Sequence, residues 1–303
     1  MSVRVAAAIS THNRCETTLL ALRSALEQTH SPEEVFIVCD GCDDGTQEAV
    51  RAVGDPRVKV LDKPKAPGAG WLNRNDVLEQ TQAEVVAWLS DDDLWLPEHL
   101  ERIVPLYEAG VADLVQGCSV LVEADDSMHA HGLDWGVPRF RDGALETGRH
   151  ETPSSAVSHT VELGVRAGGW RTVDRFGDKD FWHRMLRAGA RTSMLTEPTV
   201  LFFRAWHREQ PYEDRVRQNG AFLERIRDPA ELVKLRAEMA RAVNGRQALL
   251  EEQMEQLELR IGDLEAHGAW LNEERERLLA EAAVRPTSRV GRLARAARQR
   301  ASR

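Results

Sequence analysis

The sequence has few cysteines and no long apolar segment, and each absence excludes a class of protein. Four cysteines in 303 residues are too few for a disulfide scaffold. Cys39 and Cys42 have the spacing of half a zinc site, but no second pair completes it. No apolar run approaches the roughly 20 residues of a membrane-spanning helix, and the N-terminus predicts no signal peptide. We therefore predict a cytoplasmic protein with reduced thiols.

A glycine-rich dinucleotide fingerprint is absent as well. No G-x-G-x-x-G follows the first apolar run, which argues against an NAD-type oxidoreductase. Residues 285–303 contain seven arginines and no acidic residue, although the whole chain has a net charge of −9. An acidic body with a basic tail is not typical of a general nucleic-acid binder. We predict a disordered tail that contacts an anionic membrane face or another acidic surface.

The sequence does contain a regular alternation of apolar runs and helical patterns. Runs of strand length cover residues 3–10, 35–38, 57–61 and 84–89, and helical periodicity lies between them. This alternation predicts parallel β-α units in a sheet that is covered on both faces. An apolar content of 42% is ordinary for such a globular protein.

Polar residues recur where the predicted strands end. Thr11 follows the first strand, Asp40 follows the second, and Asp91, Asp92 and Asp93 follow the fourth. Ligands of open α/β sheets bind beyond the carboxyl ends of the strands. Three adjacent carboxylates repel one another unless a cation lies among them, and a divalent cation holding a phosphorylated ligand is the natural partner. The alternative is a solvated acidic turn that caps the helical pattern beginning at Pro97.

The second half of the chain is less regular. Residues 123–151 are polar and glycine-rich and predict loops or a small hairpin, whereas residues 178–188 predict a helix. After Gly245 a seam of apolar residues advances in steps of four and three (Leu250, Met254, Leu257, Ile261 and Leu264) and then in steps of seven to Leu271 and Leu278, where Gly268 and Arg275 interrupt it. This spacing predicts a coiled coil or a long helical hairpin, which either mediates self-association or packs back on the preceding domain.

Several segments resemble the family 2 glycosyltransferases, which have the GT-A fold. The resemblance covers roughly residues 3–207 and follows the order of the family. The matching segments are VAAAISTHNR, VCDGCDDGT, LNRN, WLSDDDLWLPEHLE, the Gly-Gly-Trp turn followed by GDKDFWHRMLRAG, and LFFRAWH. The resemblance implies an α/β fold of GT-A type, Rossmann-like, with a mostly parallel central sheet, followed here by the long helix or coiled coil.

The resemblance also implies which residues bind the nucleotide-sugar. Thr11 and Asp40 would hold the nucleobase, with the Asp40 carboxylate accepting a hydrogen bond from a ring N–H. Arg74 would contact the diphosphate or the edge of the base. Asp91 would lie near the ribose or the sugar.

The remaining roles concern the metal and the proton. The resemblance implies Mg²⁺ or Mn²⁺, with Asp92 as the main ligand, Asp93 alongside, and His207 as a further ligand or a contact to the diphosphate. Asp178 would be the base that deprotonates the acceptor hydroxyl, and Asp180 is a rival for that role. A single displacement that inverts the anomeric carbon needs only one base.

Three positions depart from the family pattern, and at the first of them Cys39 precedes Asp40 where the family has a second acidic residue. The other two lie near the predicted metal site and the predicted base. Ser90 replaces the first aspartate of the usual Asp-x-Asp, and Gly177 replaces the glutamate that usually precedes the base. Both departures keep a second hypothesis open, namely a non-catalytic nucleotide-sugar-binding or scaffolding module whose working part is the coiled coil.

We predict the following organisation and function. A GT-A glycosyltransferase domain covers residues 1–227, with a nucleotide-sugar half (1–122) and an acceptor half (123–227), and a helical region (228–284) and the basic tail follow. The protein is predicted to be a metal-dependent, inverting hexosyltransferase of cell-surface polysaccharide biosynthesis. Its acceptor would be a hydroxyl of a glycan or of a lipid-linked molecule, at the inner face of the membrane.

Overall fold

The structure of the protein, a computed structural model, describes residues 2–148, 151–203 and 210–284. The described residues up to Arg246 form one compact unit, and those from Gln247 onward form a second. Each unit is described by itself below.

The first unit is built on one mixed sheet. Its strands run in the spatial order β3-β2-β1-β4-β8-β6-β9-β5, and β7 pairs with β6 outside this path. In chain order the strands are β1 (Val5–Thr11), β2 (Glu34–Asp40), β3 (Val58–Lys63), β4 (Val85–Ser90), β5 (Leu94–Trp95), β6 (Leu114–Val122), β7 (Met128–His131), β8 (Val157–Thr160) and β9 (Thr192–Phe203).

The helices surround this sheet or follow it. In chain order they are α1 (Cys15–Leu26), α2 (Thr46–Arg51), α3 (Asn75–Gln80), α4 (His99–Glu108), α5 (Pro138–Thr147), α6 (Val161–Arg166), α7 (Gly177–Arg187), α8 (Tyr212–Arg227) and α9 (Pro229–Val284). Two short 3₁₀ turns cover Trp71–Arg74 and Ser154–Ala156.

The predicted β-α alternation is confirmed in the first 90 residues. Strands β1 to β4 pair in parallel, with β1 between β2 and β4. Because β1, β2 and β4 are nearly continuous apolar runs, both faces of this half-sheet are buried. The carboxyl ends of β1, β2 and β4 therefore meet at one edge, where Thr11, Asp40 and Ser90 lie.

The sheet as a whole is half parallel rather than mostly parallel. Strand β8 is antiparallel to both β4 and β6, and β5 is antiparallel to β9. The short strand β5 was not predicted, because two residues are too few to show a period. Helix α5 was also missed, since its segment is polar and contains an internal glycine.

Side chains of the central strands alternate between two cores. Val5, Ala7 and Ile9 of β1 belong to the core that includes helices α1 and α4. Ala6 and Ala8 point to the other face, where the core contains Trp88 and Trp170. The period of two is the pattern expected when each face of a strand is buried.

A third core brings the start of α9 into the first unit. Leu235 and Met239 are fully buried with Phe222 of α8 and Leu94 of β5. The predicted helical region began at residue 228, whereas the compact units divide after Arg246. The first turns of α9 are therefore part of the packing of the first unit.

The described part of the second unit continues α9. Its large apolar side chains are exposed, with relative accessibilities of 49–67% for Leu257, Leu259, Ile261, Leu264, Trp270, Leu271 and Leu278. The long helix is confirmed, and the coiled coil stays a prediction because it needs a second helix. Among the described residues, no helix combines the length and the apolar character needed to cross a bilayer.

Two buried histidines make stability depend on pH. Burial lowers the pKa of His159 to about 4 and that of His99 to about 3, whereas an unfolded chain binds these protons near pH 6.5. Their contribution is complete above pH 6.5 and is lost as the pH falls from 6.5 toward 4. We expect the free energy of unfolding to drop by about 1.4 kcal/mol per pH unit for each histidine in this window.

Denaturant titrations at pH 7.5 and pH 5.0 measure this loss. The His159→Gln variant should lose less stability between the two pH values than the wild type. His129 is exposed, so His129→Gln should leave the difference unchanged. If His159→Gln loses as much stability between the two pH values as the wild type does, the assignment is contradicted.

Candidate functional site: an acidic edge of the sheet

The three adjacent aspartates lie where β4 ends and the chain turns back into β5. The Asp93 N–H donates to the carbonyl of Ser90 at 3.3 Å and closes this turn. Asp91 and Asp92 are each 6% exposed, and Asp93 is completely buried. The turn is therefore not a solvated acidic loop, and the three carboxylates have different partners.

Asp91 and Asp92 face arginines. The Arg14 Nη1 lies 3.0 Å from Asp91 Oδ1 and 3.0 Å from Asp92 Oδ2, and Arg215 Nη1 lies 3.7 Å from Asp92 Oδ2. Burial, together with the charge of Asp91, raises the pKa of Asp92 to about 6 in spite of both arginines. Both carboxylates and both arginines thus form one compact charged group.

Both carboxylate oxygens of Asp93 accept hydrogen bonds from other parts of the protein. The Ser155 hydroxyl donates to its Oδ2, and the backbone N–H of Phe203 donates to its Oδ1 at 2.9 Å. Burial raises the pKa of Asp93 well above its ordinary value. These bonds connect the acidic turn to β9 and to the 3₁₀ turn before β8, so Asp93 positions its neighbours.

Asp40 is held by three donors at the end of β2. Its Oδ1 accepts from the backbone N–H of Ala66 at 2.8 Å and from Asn73 Nδ2 at 2.7 Å, and Lys65 pairs with its Oδ2. Gly70 lies against the same carboxylate, and a Cβ at this position would overlap it. A carboxylate has about four acceptor sites, so three donors leave one free for a ligand.

Thr11 lies next to Asp40 at the end of β1. The hydroxyl of Thr18 on α1 donates to the Thr11 hydroxyl at 2.8 Å, and both residues are buried. The neighbouring His12 contacts the backbone carbonyl of Asp40 through Nδ1 at 2.8 Å. These contacts fix the ends of β1 and β2 relative to each other.

Arg74 lies between aromatic rings. Its guanidinium carbon is 4.4 Å from the ring centre of Trp71 and 4.7 Å from that of Trp170. Its Nε is buried without a hydrogen-bond partner, and no ion pair to Arg74 occurs within the described ranges. Burial lowers the pKa of Arg74 to about 10, while the nearby charges of Asp178, Asp91 and Asp40 oppose that shift.

The two candidate bases at the start of α7 have different partners. Asp180 accepts two bonds from Arg184, at 2.9 and 2.8 Å. Asp178 instead faces Ser154, whose hydroxyl lies 3.4 Å from Asp178 Oδ2, and its Oδ1 accepts from the backbone N–H of Lys179. The charge of Asp178 also acts on the pKa of Arg74, whereas Asp180 is paired with Arg184.

Gly177 is required by the packing of Trp71. A Cβ on Gly177 would overlap the indole ring of Trp71. Phe176 before it has φ 56°, a left-handed conformation that is uncommon outside glycine. The space of a glutamate side chain is therefore occupied by the tryptophan that also covers Arg74.

The structure brings most of the predicted site together. Thr11, Asp40, Arg74, Asp91, Asp92 and Asp178 lie at one edge of the sheet, as the contacts above describe. His207 lies outside the described residues, so its predicted role stays a prediction. Within the described ranges, no cluster of three or more His, Cys, Asp or Glu side chains is arranged to hold a metal ion.

Sequence reasoning missed the two arginines. Arg14 stands three residues after Thr11, at the same strand end, and this position was a usable signal. Arg215 comes from α8, more than 120 residues after Asp92, and no pattern linked it to the acidic turn. Asn219, one helical turn further, donates to the backbone carbonyl of Asp92 at 2.7 Å, so α8 closes this side of the site.

Part of the chain resembles a known family of proteins. Residues 7–154 match the sequence model of the family described as Glycosyl transferase family 2. This segment contains most of β1, all of β2 to β7 and the acidic turn. It is similar to the family 2 glycosyl transferases.

Curated relatives match about a third of the chain. The chain is 32% identical over 108 residues to the succinoglycan biosynthesis protein ExoO of Rhizobium meliloti, covering 35% of this chain and 30% of that protein. It is 30% identical over 95 residues to WfgD of Escherichia coli, a UDP-Glc:alpha-D-GlcNAc-diphosphoundecaprenol beta-1,3-glucosyltransferase, covering 31% of this chain and 37% of that protein. The chain thus spans about a third of the length of these relatives.

Solved structures support the fold. Residues 1–349 of Staphylococcus aureus TarS, in complex with UDP-GlcNAc, match with a TM-score of 0.54 at 17% identity. The match covers 69% of this chain and 60% of that one. At this identity the likeness shows the fold alone, a mixed α/β architecture of GT-A type.

The residues of the acidic turn fit a divalent cation in part. Asp91 Oδ1 and Asp92 Oδ2 converge on one nitrogen of Arg14, so two carboxylate oxygens already point at a single positive charge. Mg²⁺ is usually held by one or two carboxylates together with phosphate oxygens of the substrate. Asp93 does not fit as a ligand, because both of its oxygens are bonded within the protein.

Proposed function

We propose that this protein is an inverting glycosyltransferase that moves a sugar from a nucleotide-diphosphate sugar to an acceptor hydroxyl. The observation that carries the proposal is that one buried arginine, Arg74, feels the charges of three carboxylates from separate elements: Asp178 from α7, Asp91 from the turn after β4, and Asp40 from β2. A donor site needs groups that bind a nucleoside and a diphosphate close to a group that can act as the base.

The nucleoside would bind at the end of β2. Asp40 is held by its ion pair with Lys65, and its remaining acceptor site suits a ring N–H of the base. Thr11 lies at the same edge and completes the pocket. Uracil, thymine and guanine all offer a suitable N–H, so this contact alone selects no single base.

The diphosphate would bind among the arginines. Arg14, Arg74 and Arg215 bring three positive charges to the acidic turn, and the Nε atoms of Arg74 and Arg215 are buried and unpartnered. A buried donor without a partner costs roughly 1–3 kcal/mol, which a phosphate oxygen would recover. Mg²⁺ or Mn²⁺ held by Asp92 and Asp91 would, when bound, offset the charge of the departing nucleoside diphosphate.

The base of the reaction would be Asp178. Its Oδ2 would take the proton of the acceptor hydroxyl while the hydroxyl oxygen attacks the anomeric carbon, and the bond from that carbon to the diphosphate breaks. Asp180 is the weaker candidate, because Arg184 neutralises it through two hydrogen bonds. The glutamate missing at position 177 does not argue against catalysis, since Trp71 fills its space.

The acceptor would be a hydroxyl of a growing polysaccharide or of a lipid-linked sugar. This part of the proposal is supported by the names of relatives such as ExoO and WfgD, which match about a third of this chain. Contact of the basic tail with an anionic membrane also remains a proposal, because residues 285–303 lie outside the described residues. Among the described residues, no contact in the site favours the alternative of a non-catalytic binding or scaffolding module.

A thermal-shift panel tests the donor site. UDP, GDP, dTDP and CDP are each added with and without Mn²⁺, since a ligand that binds only the folded state raises the melting temperature. We expect one nucleotide to stabilise the first unit more strongly with Mn²⁺ than without it. If none of the four changes the melting temperature under either condition, the donor-site proposal fails.

The glycine beside Asp40 offers a second test. In Gly70→Ala, the new methyl group would displace the Asp40 carboxylate, and we expect nucleotide affinity to fall about 10–100-fold, the worth of a hydrogen bond to a charged group. Isothermal titration with the preferred nucleotide measures the change.

Gly54→Ala is a matched control for that variant. Gly54 has φ +70° and Gly70 has φ +71°, so the backbone strain of an alanine is the same at both positions. Nothing lies within 4 Å of a Cβ at Gly54. Equal losses of affinity in both variants would show that strain, not Asp40, controls binding.

A further inference from the structure

The second unit carries a row of exposed leucines. Leu257, Leu264, Leu271 and Leu278 recur at every seventh residue of α9 and are 49–63% exposed. Residues seven apart fall on one face of a helix, so the four side chains form a single apolar stripe. In the described part of the second unit, no other helix covers this stripe.

A second row runs beside the leucines and has a different composition. Ile261, Gly268 and Arg275 also recur at intervals of seven, four residues after the preceding leucine. In a coiled coil these two rows are the d and a positions, and together they form the contact surface. One row is therefore uniformly leucine, while the other contains a glycine and an arginine.

We propose that this seam, residues 257–278 of α9, binds the same seam of a second copy of the chain in antiparallel orientation. The seam spans about 33 Å at a rise of 1.5 Å per residue. A second copy suits this seam because the a row of one helix can pack against the d row of the other. The inference is independent of sugar transfer.

The composition of the second row favours the antiparallel orientation. In a parallel pair in register, each position faces its own copy, so Gly268 would meet Gly268 and leave a cavity. Arg275 would meet Arg275, placing two like charges in the seam. In an antiparallel pair the a row faces the d row, so the glycine and the arginine each face a leucine. The arginine stem then covers apolar surface while its charge reaches water.

Charges beside the seam agree with this orientation. Arg260, His267 and Glu274 recur at intervals of seven and form a row that lies beside the seam. Antiparallel helices bring this row against itself, so Arg260 of each copy would face Glu274 of the other. Glu274 also pairs with Arg277 on its own helix at 2.6 Å. The one like-charge contact is Glu265 against Glu265 at the two-fold axis.

The oligomeric state of the full chain is the first test. Light scattering on a sizing column should give a dimer for the wild type and a monomer for the Leu264→Asp, Leu271→Asp double variant. We expect the dissociation constant to rise at least about 100-fold, because the variant buries unpaired carboxylates. Circular dichroism checks that α9 is still helical.

Leu259 provides the matched control. It is 67% exposed, and it lies outside both rows of the seam. Leu259→Asp should therefore remain dimeric. A monomeric wild type at micromolar concentration, or equal dissociation by Leu259→Asp, would overturn the proposal.

Disulfide formation tests the orientation. In Glu265→Cys the two new thiols would face each other at the two-fold axis and form a crosslinked dimer under mild oxidation. In Arg275→Cys they would lie about 27 Å apart along the axis, 18 residues at 1.5 Å each, and should not crosslink. The wild type, with its four cysteines, gives the background. Crosslinking of Arg275→Cys, or none of Glu265→Cys, would overturn the antiparallel orientation.

Discussion

Replacing Asp178 by asparagine should lower the rate of sugar transfer by about 10²–10⁴-fold, the usual worth of a general base. Asparagine has nearly the same shape and can keep the contacts of Asp178 with Ser154 and with the Lys179 N–H. It cannot accept the proton of the acceptor hydroxyl. Donor binding should stay within a few-fold of wild type, because Asp178 acts on the acceptor side.

The comparison that decides this prediction is Asp180→Asn. Asp180 is two residues away on the same helix, carries the same charge, and pairs with Arg184. Its replacement should cost some stability and little activity per folded molecule. Transfer rates measured at saturating donor separate the two variants. If Asp180→Asn loses the activity and Asp178→Asn keeps it, the base is misassigned.

Replacing Asp92 by asparagine should abolish the effect of Mn²⁺ on donor binding. Asp92 is the carboxylate that Arg14 and Arg215 share, and its loss leaves Asp91 as the remaining carboxylate of the turn that could bind a metal ion, because both oxygens of Asp93 are bonded within the protein. Loss of a group that merely supports a ligand already costs about 10–100-fold in metal affinity. We expect at least the upper end of that range for Asp92, together with a comparable loss of transfer.

Two measurements distinguish this outcome from general damage to the fold. Electron paramagnetic resonance of Mn²⁺ reports metal binding directly, and titration of the nucleotide with and without Mn²⁺ reports the coupling. Asp62→Asn removes a carboxylate of β3 that pairs with Arg51 away from the acidic turn, and it should leave both unchanged. Unaltered Mn²⁺ binding by Asp92→Asn would place the metal elsewhere or remove it from the reaction.

The donor half of the site could be predicted because its signals are local. Thr11, Asp40 and the three aspartates each follow a buried apolar run directly, and parallel strands bring their carboxyl ends to one edge. The order of these runs along the chain was enough to place them together. The distinction among the three aspartates was not predictable, since it depends on which oxygen meets Ser155, Phe203 or Arg14.

The acceptor half shows the limit of that reasoning. Helix α5 has no clear period, and β8 joins the sheet in the antiparallel sense between two strands that precede it in the chain. Arg215 reaches Asp92 only because α8 packs beside α1 and presents that face. Such contacts join segments that are far apart in the sequence, and the spacing of residues along the chain does not predict them.

By itself, the sequence determined the alternating β-α order of the first 90 residues, the carboxylates at the strand ends and the heptad row of α9, because each depends on neighbours within a few residues. Tertiary structure alone decided the rest. It buried Asp93 and gave both of its oxygens hydrogen-bond donors, and it placed Arg74 between Trp71 and Trp170. It also paired Asp180, and not Asp178, with Arg184. The physical reason is that burial and charge pairing are properties of the surroundings, which folding assembles from distant parts of the chain.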